Sequence, residues 1–139
     1  MNNYWHTNYK ADQEGPASFR YSILPHGSFV PEEAVRFGRD MREPLLALPA
    51  DPASSVLAPL FLLQPPQVLV SSIRPLGQDA WLVCLYNPSE GARDAAFAWN
   101  RLATPGVYAS DSFGRKGEKL GATVKVAARG SRYVRLETK

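Results

Sequence analysis

From residue 66 to the end, the chain repeats one rhythm: a short run of β-branched, aromatic and small residues, then a cluster of glycine, proline, asparagine or aspartate. The runs cover residues 68–74, 80–87, 94–99, 106–110, 123–127 and 132–136. Between them lie Gly77-Gln78-Asp79, Asn87-Pro88-Ser89-Glu90-Gly91, Thr104-Pro105-Gly106 and Gly114-Arg115-Lys116-Gly117, which supply turn chemistry. Strands this short, separated by turns, predict an antiparallel β-sandwich. The alternation assigns faces. Val124 and Val126 point one way and Thr123 and Lys125 the other, while Ala95, Phe97 and Trp99 share a face. Trp81-Leu82-Val83-Cys84-Leu85-Tyr86 lacks alternation and predicts a strand buried on both sides, with Cys84 as a packed thiol.

Upstream the pattern changes. Residues 19–24 alternate aromatic with small or polar side chains and predict a strand, ended by Pro25-His26-Gly27. Ser28 is a candidate helix cap. Pro31-Glu32-Glu33 places a proline and two acids in a first turn, and Ala34, Phe37, Gly38 and Met41 recur at helical spacing, so a short helix is expected over residues 31–42. Residues 44–48 suit a further strand. From 49 to 66 proline recurs around an apolar stretch (56–63), which reads as a crossover between sheet layers. The expected organisation is therefore residues 1–48 as the tail of a larger sandwich, 49–66 as a proline-rich crossover and 67–139 as a small C-terminal sandwich. No internal repeat or heptad is present.

The first nine residues, Met1-Asn2-Asn3-Tyr4-Trp5-His6-Thr7-Asn8-Tyr9, are too polar for a core and too aromatic for a linker. Aromatic rings lie against the C–H faces of a pyranose and amides pair with its hydroxyls, so the combination suits sugar recognition. The other reading is that Tyr4, Trp5 and Tyr9 pack at a sandwich edge while the asparagines satisfy loop backbone. Both stay open on the residues alone.

Residues 2–9, with Gln13-Glu14-Gly15, Phe19-Arg20-Tyr21-Ser22, Pro25-His26, Arg36-Phe37-Gly38 and Pro44-Leu45, resemble the C-terminal β region of family 38 glycoside hydrolases, the α-mannosidases. The likeness covers about the first 45 residues. Beyond them only residues 68–75 and 81–87 resemble the family's terminal strands. It implies a non-catalytic β region that supports the fold and sugar cleft of a complete enzyme, within mannose metabolism. Asn2, Asn3, Tyr4, Trp5, His6, Asn8, Tyr9 and Gln13 are then substrate-binding or cleft-supporting residues. The catalytic aspartates and the zinc would belong to an earlier catalytic domain, the expected partner, alongside a mannose-containing glycan. No cofactor and no catalytic residue is assigned to this chain, and Met1 reads as an internal methionine. An autonomous carbohydrate-binding or interaction module is the alternative.

The residues argue the same way about chemistry. A retaining glycosidase needs two carboxyl groups roughly 5 Å apart, yet the acids here are scattered, and Asp12 reads as a turn residue. His6 and His26 are the only histidines and have no cysteine neighbour in a zinc-binding spacing. Eight of the 16 basic residues fall within 111–139, against three acids. They are strung along a strand as Arg129, Arg132 and Arg135 without a nucleic-acid motif, which suits a solvated face. No membrane span or signal-peptide layout is visible. If residues 1–48 are strands of a larger sandwich, their exposed edges favour self-association.

Overall fold

The computed structural model describes residues 15–43, 47, 49, 59, 61–99 and 105–138. Among these residues one helix, α1 (Pro31–Arg42), precedes eight strands: β1 (Phe61–Gln64), β2 (Leu69–Pro75), β3 (Ala80–Asn87), β4 (Arg93–Trp99), β5 (Gly106–Ser110), β6 (Lys116–Lys119), β7 (Thr123–Val126) and β8 (Gly130–Glu137). The strands form two antiparallel sheets, a three-stranded one in the order β1-β4-β7 and a five-stranded one in the order β2-β3-β8-β5-β6. The expected mainly β, sandwich-like fold with one short helix is what the chain adopts.

The core lies between the sheets. Val83 and Leu85 of β3 and Val134 and Leu136 of β8 meet Ala95 of β4 and Val124 and Val126 of β7, with Val68 closing the group. Burying such side chains contributes roughly 1.5–3 kcal/mol each. The predicted faces hold: Val124 and Val126 are buried while Thr123 and Lys125 are exposed. Phe97 and Trp99 stack at 5.3 Å with Phe61 edge-on to both. In β3 every residue is buried or half-buried, because its outward row (Ala80, Leu82, Cys84) is covered as well as its inward one.

The turn cluster after β3 is tied by Asn87, which has no exposed surface. Its amide nitrogen donates to the carbonyls of Gly91 (2.8 Å), Ala127 (3.1 Å) and Val126 (3.3 Å), and its oxygen accepts from the Ser89 amide (3.1 Å) and hydroxyl. One side chain thus joins the β3–β4 turn to the end of β7. The loop 111–115 is ordered by Asp111, whose carboxylate accepts from the amides of Phe113 and Arg115, both at 3.0 Å. Gly114 there has φ +89°, and an added Cβ would meet the Leu76 side chain at 2.8 Å.

Four expectations are corrected. Residues 19–24 form no strand, because no neighbouring chain segment pairs with them among the described residues; every residue from 15 to 30 is exposed. Ser28 does not cap α1: the cap position is Val30, without a side-chain bond, and Pro31 with Glu32 and Glu33 supplies the start signal instead. Within the apolar stretch read as crossover, residues 61–64 form β1, which pairs with β4, and the chain passes from that sheet to β2 of the other through Pro65-Pro66. Lys116 and Gly117, read as turn, open β6, whose pairing to β5 needs no apolar side chain. Residues 44–46 and 48, expected as a strand, lie outside the described residues.

Candidate functional site

The residues expected to meet sugar, Asn2, Asn3, Tyr4, Trp5, His6, Asn8, Tyr9 and Gln13, all lie outside the described residues. Among the described ones, a groove of about 460 Å³ lies between α1 and the β1–β2 corner. That is within the size range of small-molecule sites.

Its walls follow from the sequence. Helix α1 opens with Pro31 and two acids and closes with Arg39 and Arg42, matching the helix dipole at both ends. Arg36 and Arg39, three apart, fall on one side. Arg36 donates to the Pro66 carbonyl and Arg39 to the Val70 carbonyl, so both guanidinium groups tether the helix to backbone near the start of β2. Phe61, Leu63, Val68 and Val70 form an apolar floor and Asp40 and Glu43 stand on the rim.

The rim chemistry is that of binding. Glu43 accepts from Arg42 at 3.0 Å and Arg39 at 3.1 Å, and these two bonds hold its carboxyl below the ordinary value of 4.5. A carboxylate kept ionised is a poor proton donor to a glycosidic oxygen, which requires a raised pKa. Apolar floor and charged rim can hold the face and hydroxyls of a small polar ligand. No cluster of three or more His, Cys, Asp or Glu suited to a metal occurs among the described residues, so they do not fit a zinc site.

The basic C-terminal face is laced with acids. Lys116 and Arg135 both pair with Glu137 (2.5 and 2.7 Å), Arg129 pairs with Glu90 (2.5 Å) and Arg115 with Asp111 (3.5 Å). Lys116 also lies over the Tyr108 ring at 3.9 Å. The Glu137 carboxyl is pulled below 4.5 by Lys116 and then Arg135, and Lys116 is correspondingly raised above 10.5 by Glu137.

Comparison with protein-family models, with curated proteins and with solved structures gives no match to this chain.

Sequence reasoning did not single out the groove. Neither Arg36 nor Arg39 could be tied to a groove from the sequence, Arg36 entering only through the Arg36-Phe37-Gly38 resemblance, since the carbonyls they reach lie 30 and 31 residues away. The i, i+3 spacing of the two arginines on the helix was the one signal available.

Proposed function

We propose that the chain is the non-catalytic C-terminal β region of an α-mannosidase-like glycoside hydrolase, supporting the fold and sugar cleft of the full enzyme. The observation that carries this reading is the segment Asn2-Asn3-Tyr4-Trp5-His6-Thr7-Asn8-Tyr9, with the spaced residues after it that resemble family 38. Since no family model matches, the reading stands on those residues and on chemistry. Two structural features support it. The chain is a β-sandwich with one short helix among the described residues, and the carboxylate at the groove beside α1, Glu43, is committed to arginines rather than free for proton transfer. In this reading the catalytic acids and zinc reside in the partner catalytic domain, and Trp5, Tyr4 and the asparagines complete the cleft wall.

The open groove beside α1 favours a second reading, an autonomous carbohydrate-binding module. Chromogenic α-mannoside hydrolysis by the purified chain, with and without zinc, run beside calorimetric titration with mannose and short mannosides, separates the two. The accessory role predicts no turnover and no saturable heat. Saturable binding lost in Trp5→Ala or Arg36→Ala would favour the module, and turnover that survives purification would overturn both.

A further inference from the structure

Residues 15–30 present an unusual surface. Phe19, Tyr21, Ile23 and Phe29 are 55, 79, 87 and 67% exposed, and Leu24 and Val30 are exposed beside them. An aromatic side chain carries about 150–250 Å², so these six expose on the order of 600 Å² of apolar surface. That reaches the upper end of what a monomer usually leaves bare, roughly 300–600 Å². Among the described residues no backbone-to-backbone hydrogen bond engages residues 15–29, although Phe19, Tyr21 and Ile23 carry the period of a strand.

We infer that this segment pairs with the same segment of a second copy of the chain, residues 19–24 forming an antiparallel two-stranded ribbon about a two-fold axis beside Tyr21. The symmetry selects the register. In an antiparallel pair, opposed residues share a face, so a two-fold normal to the ribbon pairs residues of equal parity. Centred on Tyr21, it places Tyr21 opposite Tyr21, Phe19 opposite Ile23 and Arg20 opposite Ser22. Phe19, Tyr21 and Ile23 then lie on one face and Arg20, Ser22 and Leu24 on the other, and the only charged residue of the segment avoids its own copy, where like charges would repel. The same patch serves both copies, as a two-fold interface requires.

A bare ribbon is marginal and needs a helix or a third strand behind it. Helix α1 follows directly. Leu24, His26, Phe29 and Val30 already gather against Glu33, Ala34 and Phe37 around a space of about 130 Å³, and Met41 extends the apolar side of the helix. Two patches together offer on the order of 1,200 Å², the lower bound of a stable interface. This inference does not rest on the sugar reading.

Sedimentation of the chain from submicromolar to high micromolar concentration tests it, with disulfide trapping to read the register. The proposal predicts a monomer–dimer equilibrium, weakened about tenfold or more by Tyr21→Glu, which sets two carboxylates face to face. Opposed residues have Cα atoms about 4.5–5.5 Å apart, within disulfide range, so Tyr21→Cys crosslinks under oxidation. In Ser22→Cys the mates sit about 8 Å apart and do not. The native chain is the blank because Cys84 is buried. Tyr21 is exposed, so an unchanged unfolding curve verifies that the variants fold. A monomer at every concentration, a dimer indifferent to Tyr21→Glu, or faster crosslinking of Ser22→Cys overturns the proposal. So does protection of residues 19–24 only when an α-mannosidase catalytic domain is added.

Discussion

Replacing Asn87 with alanine tests whether one amide ties the two sheets at the β3–β4 turn. The side chain is fully buried, and its removal strips partners from the carbonyls of Gly91, Val126 and Ala127 and from the amide and hydroxyl of Ser89. An amide has two hydrogens, so three accepting carbonyls share them and the groups do not count equally. Leaving a buried polar group unpaired costs about 1–3 kcal/mol. Two groups left dry, with water reaching the rest, gives about 2–6 kcal/mol, a large fraction of the roughly 5–15 kcal/mol a domain has in hand. Urea unfolding followed by tryptophan fluorescence should show the midpoint fall with an unchanged slope. Asn87→Asp should be at least as damaging at neutral pH, because a carboxylate cannot donate to the three carbonyls and would be buried charged. A loss under about 1 kcal/mol in Asn87→Ala would refute the assignment of Asn87 as the tie.

Gly114→Ala should cost about 1–3 kcal/mol, since it forces an alanine to positive φ and drives its Cβ into Leu76; thermal unfolding reads it, and a neutral result would show the loop is free to move. The ion pairs, and for Asp111 the backbone amides of Arg115 and Phe113 that it accepts from, make stability depend on pH at both ends. Glu137, Glu43 and Asp111 have folded pKa values depressed below their ordinary 4.5, 4.5 and 3.8, so their contribution is complete above those values and is lost as pH falls through the folded ones. Lys116 is raised above 10.5, so its contribution is complete below that value and is lost as pH climbs through the folded one. Urea midpoints across pH should therefore be flat near neutrality and fall on both sides, and Glu137→Gln should flatten part of each limb.

The legible parts of the fold are those where local chemistry and tertiary need agree. Helix α1 was readable because Pro31 and the two acids mark its start and Ala34, Phe37, Gly38 and Met41 keep helical spacing along it. Strands β3, β7 and β8 were readable because burial imposes its pattern on them. β6 was not, because Lys116-Gly117-Glu118-Lys119 is wholly exposed and is held by backbone pairing without any buried apolar side chain; its lysines are what a sheet edge carries to discourage further pairing. β1 was hidden inside a proline-rich apolar run whose alternation is only four residues long. Residues 19–24 erred in the other direction: alternation says which side chains share a side, not whether a neighbouring strand exists to pair with. The groove was illegible for a related reason, since it depends on Arg36 and Arg39 meeting carbonyls far along the chain, a matter of tertiary placement.

The most direct test of the proposed function is association in trans. The purified chain is mixed with the catalytic region of a family 38 α-mannosidase made without its own C-terminal β region, and binding is followed by co-elution together with mannosidase activity. The account predicts a complex with raised activity, both diminished by Trp5→Ala. No co-elution at any concentration, with saturable mannoside binding by the chain alone, would contradict it.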